Sequence, residues 1–249
     1  MKKSRLLAAL LVMTMLSTCI ISGTFAKYVT EASGGDSARV AKWGVQLTVN
    51  ANNFAKEYVT DDTTGTDIGV SVKADEKVVA PGTSSAETGC QATFAISGSP
   101  EVVTKINIAL SNVKDVKLPK GTYTDYTKVT GYDDAGKPTY GTFELGADYY
   151  PVVWTLKKGS ETLVTGKLAD IKTYLDAYNA DKSQCTYSAN QSLAANFTLD
   201  WAWDFDADGA GTNDAADTLL GNVAAGTATV EGAVTAIGYN LKVTATQVD

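Results

Sequence analysis

Apolar and polar residues alternate along much of the chain after residue 40. Val45, Leu47 and Val49, for example, are separated by Gln46 and Thr48. A period of two residues places one side of a strand in the core and the other in solvent, as in antiparallel sandwiches. The same alternation recurs at residues 68–72, 92–96, 106–110, 197–203 and 239–245. The pattern therefore predicts a mainly-β protein with antiparallel sheets.

Two segments depart from this simple alternation. Residues 113–150 carry many Tyr and Thr residues on both sides of a turn at 133–138, which predicts a hairpin inserted into the sandwich. Residues 167–180 instead have the periodicity of a helix. Their apolar residues recur at spacings of three and four, on one helix face: Leu168, Ile171, Leu175 and Tyr178.

Turn-forming residues separate the predicted strands. Pro81 and Gly82 suit the two central positions of a type II turn, because Pro fixes φ at the first and Gly supplies a positive φ at the second. We expect one β-sandwich domain over residues 27–249, with one helix and the hairpin insertion. Its core is predicted to include the large aromatic residues Trp43, Phe94, Trp154, Trp201 and Trp203.

The first 26 residues have the pattern of a signal peptide. Lys2, Lys3 and Arg5 precede an apolar stretch, which ends in small residues at Thr24 and Ala26. A membrane-spanning helix needs about 20 apolar residues and a stop-transfer flank, and this stretch is shorter and leads into polar sequence. We therefore predict cleavage after residue 26 and secretion to a cell surface or extracellular matrix. The alternatives are an uncleaved anchor and lipidation at Cys19.

The charge of the chain excludes some partners. The first 26 residues hold three of the 21 basic residues and none of the 28 acidic residues, so the remainder carries a net charge of −10. Nucleic acids and anionic lipid surfaces need positive charge for binding. We expect neither nucleic acid nor, after cleavage, a membrane as a partner.

The sequence contains no histidine. Ser-His-Asp and Cys-His nucleophiles, and the zinc sites of His-dependent metallopeptidases, are therefore absent from this chain. Carboxylate pairs are common, but no spacing marks one pair as catalytic. The residues predict a protein that is not an enzyme and has no obligatory cofactor.

One acidic cluster has the beginning of a calcium-binding loop. Asp204, Asp206 and Asp208 followed by Gly209 match the first positions of an EF-hand loop, in which alternate carboxylates converge on one cation. The bidentate Glu of that loop is missing, so its place would fall to other carboxylates, Asp214 and Asp217. The alternative is an acidic turn that binds no metal.

The cysteines and tryptophans each leave two interpretations open. Cys90 and Cys185 remain after cleavage, and an exported protein permits a disulfide between them or two buried thiols. Trp201 and Trp203 share one face of a strand, where they would either fill the core or stack on a glycan. The glycan interpretation predicts a surface binding module for glycan or protein, with or without calcium.

Several segments together resemble a known family. Gly-Thr-Phe-Ala at 23–26, and residues 27–30 and 36–43, resemble exported substrates of the signal peptidase SipW. The turn at 80–83 and the β-run after it resemble the TasA/camelysin family of spore-coat and biofilm-matrix proteins of Gram-positive bacteria. The closing segments 201–203 and 214–221 are also similar to variants of that family. The resemblance covers both ends of the chain better than residues 113–190.

The resemblance implies a jelly-roll-like sandwich and a structural role in a matrix fibre. In such fibres the N-terminal segment of one subunit adds as a strand to the next, so the expected donor is Lys27, Tyr28, Val29 and Thr30, within a segment reaching to Val45. The expected partners are other copies, head to tail, and other matrix proteins. The alternative is that residues 27–44 fold back as the first strand of their own chain. Camelysin-like relatives are classed as metallopeptidases, but a chain without histidine does not support that activity.

Overall fold

The protein is mainly β, as a computed structural model describes it over residues 38–59, 71–86, 90–205 and 212–248. Residues from Ala41 onward belong to one compact unit. Its strands are β1 Val45–Asn50, β2 Glu57–Val59, β3 Ser71–Lys73, β4 Thr83–Ser84, β5 Ala92–Gly98, β6 Thr104–Lys114, β7 Gly121–Tyr132, β8 Pro138–Leu145, β9 Val152–Lys158, β10 Glu161–Gly166, β11 Thr186–Tyr187, β12 Leu193–Trp203 and β13 Gly238–Gln247. Its helices are α1 Leu168–Ala180, α2 Lys182–Cys185 and α3 Thr212–Ala224.

Two antiparallel sheets enclose the core. The first sheet has the order β1-β5-β12-β9-β10, with β4 also paired to β12, and the second has the order β11-β6-β13. Alternate residues of β5, β6, β9 and β12 are buried, which is why these strands show period-two hydrophobicity. Trp154 and Tyr239, from opposite sheets, make an edge-to-face contact with ring centroids 5.7 Å apart. The predicted antiparallel sandwich is confirmed.

Most predicted local elements have counterparts in the structure. Strands β7 and β8 form the expected hairpin, and helix α1 covers the expected segment to within one residue. Gly82 has a φ of 78°, and the Thr83 amide donates to the Ala80 carbonyl at 3.2 Å, as the type II turn requires. The hairpin of β9 and β10 was not predicted, because β9 begins with consecutive apolar residues instead of alternating ones.

The aromatic core is as predicted except at Trp43. Phe94, Trp154, Trp201 and Trp203 are at most 6% exposed, whereas Trp43 is 40% exposed. Trp43 lies just before β1, the outermost strand of the first sheet in the described part of the chain. A side chain beyond the last strand of a sheet has fewer neighbours to cover it, so the prediction that Trp43 is buried is wrong.

Helix α1 closes one side of the sandwich. It packs against β6 of the second sheet and against β9 and β10 of the first. Its Asn179 side chain forms two hydrogen bonds with the backbone of Ile108 in β6, accepting from the amide at 2.9 Å and donating to the carbonyl at 2.7 Å. Strand β11 pairs with β6 only at Thr104 and Lys105, so Asn179 satisfies backbone groups of β6 that lie beyond the end of β11.

Candidate functional site

Strand β1 lacks the features that usually protect the edge of a sheet. Among the described strands it pairs with β5 alone. Its sequence, Val-Gln-Leu-Thr-Val-Asn, has no charge and no proline, and its register runs unbroken from Val45 opposite Gly98 to Asn50 opposite Thr93. Charged residues, proline, bulges and covering helices are the common means by which proteins block pairing at an edge. The backbone of β1 can therefore accept another strand.

The other edge strands carry such protection. Strand β10 contains Glu161, has a register shift between Thr162 and Val164, and packs against α1. Strand β13 contains Lys242 and has a register shift near Gly238. The hairpin of β7 and β8 has two register shifts and several charged residues. The remaining edge strands, β2, β3, β4 and β11, are only two or three residues long, and short length also limits pairing. Strand β1 differs from the other described edges in being six residues long without any of these features.

The inner face of β1 exposes apolar side chains. Leu47 lies opposite Ile96, and Val49 lies opposite Phe94. Directly opposite residues in an antiparallel pair share one face of the sheet, so Leu47 and Val49 point to the core side. Ile96 and Phe94 are buried, but Leu47 and Val49 are 38% and 43% exposed. The sandwich is thus incompletely covered beside β1.

Strand β13 lines the other boundary of this region. Leu241, Val243 and Ala245 lie opposite buried residues of β6 and therefore face the core, yet each is only half-buried. Strands β1 and β13 contact each other across the sandwich. We call this apolar surface the open side and define it by its residues: Leu47, Val49, Leu241, Val243 and Ala245. It can receive the apolar face of an added strand.

The chain just before β1 pairs within its own unit. The Glu101 amide donates to the Lys42 carbonyl at 2.9 Å, and the Lys42 amide donates to the Glu101 carboxylate at 2.8 Å. The Ser99 amide donates to the Gly44 carbonyl at 3.3 Å. The expectation that the donor segment reaches to Val45 is therefore wrong for its last residues, since residues 42–45 already extend the β1–β5 pair.

The predicted donor residues Lys27, Tyr28, Val29 and Thr30 lie outside the described residues. The structure therefore locates a surface that could accept a strand without placing the strand itself. The donor segment therefore stays a prediction, and the sequence analysis did not identify the unprotected edge of β1. The lack of charge in residues 45–50 was visible in the sequence. Whether that strand lies at an edge depends on the order of strands in the sheet, which the alternation of apolar and polar residues does not reveal.

The predicted calcium ligands divide into exposed, buried and undescribed residues. Asp204 and Asp214 are exposed, whereas Asp217 is 8% exposed. The Asp217 carboxylate accepts hydrogen bonds from the Tyr149 hydroxyl at 2.9 Å and from the Trp203 indole N–H at 3.0 Å. Asp206 and Asp208 lie outside the described residues.

Within the described ranges, no three His, Cys, Asp or Glu side chains are grouped to hold a metal ion. The hydrogen bonds of Asp217 instead give this residue a part in the fold. It connects α3 to a core tryptophan and to the segment before β9.

The two cysteines are not joined. Cys185 is a buried free thiol at the end of α2, with its Sγ atom 3.5 Å from the Asn179 carbonyl oxygen. Cys90 precedes β5 and lies 3.9 Å, through its Sγ atom, from the Asn52 side-chain nitrogen. The disulfide alternative is therefore wrong for this structure, and Cys185 behaves as a small buried apolar residue.

Trp201 and Trp203 are buried in the core, at 2% and 6% exposure. Each indole N–H has an acceptor, Trp201 on the Asn53 carbonyl at 2.7 Å and Trp203 on Asp217. Their ring faces are therefore not available for stacking on a glycan.

Three polar residues that connect the core were not predicted. Asn53 is fully buried, donates to the Tyr239 hydroxyl at 3.1 Å and accepts from the Ala92 amide at 3.0 Å. Asp115 accepts from the Trp154 indole N–H at 3.3 Å and from the Leu168 amide, at the start of α1, at 2.9 Å. Burial raises the pKa of Asp115. Asn53 thus connects the segment after β1 to β5 and β13, whereas Asp115 and Asn179 connect β6 and the segment after it to β9 and α1.

No known protein family, curated protein or solved structure matches this chain. In the described part of the chain, none of the helices is both long enough and apolar enough to cross a lipid bilayer.

Proposed function

We propose that this protein is a secreted structural subunit of an extracellular matrix or cell-surface fibre, and that it assembles by strand addition at the open side. One observation carries the proposal: β1 is an unprotected edge, and its core-facing Leu47 and Val49 remain 38% and 43% exposed. An added strand would complete the hydrogen bonding of β1 and cover both side chains.

The proposed donor is the segment around Lys27, Tyr28, Val29 and Thr30 of another copy. Alternate residues of a strand point to opposite sides, so either Tyr28 and Thr30 or Lys27 and Val29 would face the open side. The second arrangement would bury the Lys27 ammonium among apolar side chains, which is costly without a partner. The register with Tyr28 facing inward is therefore favoured.

This arrangement produces a filament. The donor segment and the open side are different surfaces, so each subunit can donate to one neighbour and accept from another. Such head-to-tail contacts propagate when their rotation does not close a ring. The leader-like first 26 residues and the resemblance to the TasA/camelysin family support an exported matrix role, with other copies and other matrix proteins as partners.

The buried tryptophans favour a structural role over a glycan-binding one. A glycan-binding module would need exposed aromatic rings, and the pair that suggested one lies in the core. The absence of histidine from the sequence supports a role that is not catalytic.

Electron microscopy of two purified chains tests the proposal. One chain begins at Lys27, and the other begins at Ala41 and so lacks the proposed donor. We expect regular filaments from the first chain and single particles from the second, at equal concentration. Filaments from both chains would exclude this donor, and discrete dimers from both would indicate symmetric pairing of β1 with β1. Single particles from both would contradict assembly as the function.

A further inference from the structure

Two tyrosine rings are in contact on the hairpin of β7 and β8. The rings of Tyr126 and Tyr140 have centroids 5.2 Å apart and planes inclined at 56°. Among the ring contacts of the described residues, this pair is the one in which both partners are tyrosines. The neighbouring pair on the same hairpin, Tyr123 with Phe143, has a similar separation of 5.8 Å but contains one phenol. The hairpin thus places two phenols side by side.

An irregularity in β7 brings these two rings together. The adjacent residues 140–141 of β8 lie opposite Val129 and Asp125 of β7, so residues 126–128 have no register partner on β8. A bulge of this kind redirects side chains of the bulged strand, and Tyr126 is its first residue. In the described part of the chain β7 and β8 pair with each other alone, so no neighbouring strand replaces the ladder hydrogen bonds that the bulge interrupts.

Both phenol groups are open to chemistry from solvent. The two rings are half-buried, and neither hydroxyl forms a hydrogen bond within the described residues. Other tyrosines differ, since the Tyr123 hydroxyl donates to the Pro119 carbonyl at 2.6 Å and the Tyr178 hydroxyl donates to the Gln184 carbonyl at 3.0 Å. The paired phenols can therefore lose their hydroxyl protons to water without breaking a hydrogen bond of the fold.

We propose that Tyr126 and Tyr140 form a site of oxidative cross-linking, at which a peroxidase and hydrogen peroxide join the two rings as dityrosine. Each phenol loses one electron and one proton to give a phenoxyl radical, and hydrogen peroxide takes up both electrons and both protons to form two water molecules. The two radicals combine through ring carbons ortho to the oxygens, which forms one C–C bond. The hydrogens on those carbons then move to the oxygens, so both phenols are restored and the chain is lighter by two hydrogen atoms.

Radical combination needs two rings within reach before either radical reacts elsewhere. The contact between Tyr126 and Tyr140 provides that proximity, and the χ2 torsion of tyrosine is soft enough to align two ortho carbons. The product would join β7 to β8 at the bulge, where the ladder is interrupted. Because Cys90 and Cys185 are not joined, this bond would close a loop that no disulfide between them closes. The reaction takes place within one chain and is independent of strand addition at the open side.

Peptide mass spectrometry tests this proposal on the chain that begins at Lys27, treated with a haem peroxidase and hydrogen peroxide. Trypsin cuts after Lys128 and so separates Tyr126 from Tyr140, which makes a bond between them visible as two joined peptides. An equal mixture of isotopically labelled and unlabelled chains distinguishes bonds within a chain from bonds between chains. We expect joined peptides that are lighter by two hydrogen atoms and are either fully labelled or fully unlabelled.

The test variants are Tyr126→Phe and Tyr140→Phe, which keep a ring but cannot form a phenoxyl radical at that position. Either substitution should abolish the joined peptides. The control is Tyr132→Phe, which removes the hydroxyl of a tyrosine that is 72% exposed on the same hairpin, and it should leave the joined peptides unchanged. Cross-links spread among the exposed tyrosines, or joined peptides of mixed label, would overturn the proposal. An absence of dityrosine in the treated wild type would overturn it as well.

Discussion

At the scale of single residues, Gly98 occupies the tightest backbone position beside the open side. It ends β5 opposite Val45 with a φ of 127°, and a Cβ atom built there would lie 1.9 Å from the Gly44 carbonyl oxygen. We predict that Gly98→Ala lowers the free energy of unfolding by about 3 kcal/mol, through clash and backbone strain together. Urea unfolding monitored by tryptophan fluorescence measures the loss.

Gly136 provides the matched control for this substitution. It has a φ of 76° in the hairpin turn, but a Cβ atom there would meet nothing within 4 Å. Gly136→Ala should therefore cost only about 1 kcal/mol, the backbone contribution. Equal losses at the two positions would show that the close approach of Gly98 to Gly44 is not a constraint on the fold.

Two aspartates should give opposite pH dependences of stability. Burial raises the pKa of Asp115, so the protonated form of this carboxyl stabilises the folded state. That stabilisation is complete below the unfolded pKa of about 3.9, and it is lost as the pH rises through the folded pKa. The Lys120 backbone amide, and then the Lys117 side chain, lower the pKa of exposed Asp148. The stability from Asp148 is therefore present above about pH 3.9 and is lost as pH falls through its folded pKa.

Melting temperatures of wild type, Asp115→Asn and Asp148→Asn between pH 7 and pH 3 test this contrast. The advantage of the wild type over Asp115→Asn should grow as the pH falls toward 4. The advantage over Asp148→Asn should shrink below pH 4. Parallel curves for the two variants would contradict the opposite pKa shifts.

At the scale of elements, helix α1 stabilises the sandwich by satisfying backbone groups of β6 that the short strand β11 does not reach. Asn179→Ala would leave both the amide and the carbonyl of Ile108 without their side-chain partners. We predict a loss of about 2 kcal/mol in the free energy of unfolding, because unpaired backbone groups in a partly buried site are costly. Asn196→Ala, at an exposed position on β12, should change it by less than about 0.5 kcal/mol. Denaturant unfolding measures both variants. Equal losses would show a general effect of removing a side-chain amide and not the loss of the two hydrogen bonds between Asn179 and Ile108.

Local periodicity predicted the elements that have a regular face. Apolar and polar residues alternate in β5, β6 and β12 because one side of each strand is buried. The apolar residues of α1 recur at spacings of three and four residues because one face of the helix is buried. The roles of Asn179 and Asp217 could not be predicted in this way. Asn179 contacts a backbone 71 positions away, and Asp217 contacts a tyrosine 68 positions away. Such contacts depend on how the elements pack, which is not contained in any one segment.

At the scale of the whole molecule, the two sides of the sandwich differ. Helix α1 covers one side, and β1 with β13 leaves the other side partly exposed. The charge-free sequence of β1 is readable in advance, but its position at an edge is set by the order of five strands. The proposed donor was expected from the sequence of residues 27–30, whereas the proposed acceptor surface could be recognised only in the assembled sheet. A test of assembly must therefore change each of the two surfaces separately.

Mixing two disabled subunits should therefore produce a dimer and nothing larger. The first subunit begins at Lys27 and carries Leu47→Lys and Val49→Lys, which place charge on the open side while keeping the donor. The second begins at Ala41 and keeps the wild-type open side without a donor. Each should remain monomeric alone, since it has only one of the two surfaces. Together they should form one heterodimer, which light scattering after size-exclusion chromatography would measure as the sum of the two subunit masses.

The control for the charged substitutions is Val153→Lys in the chain that begins at Lys27. The exposed fractions of Val153 and Val49 are nearly equal, at 42% and 43%. Val153, however, lies on the outer face of β9, which is paired on both sides. This variant should assemble like the wild type, because its new charge is remote from the open side. If it also fails to assemble, the effect at β1 reflects added charge alone. If the first subunit forms filaments by itself, the acceptor surface is elsewhere, and a mixture without dimers would show that the segment before Ala41 is not the donor.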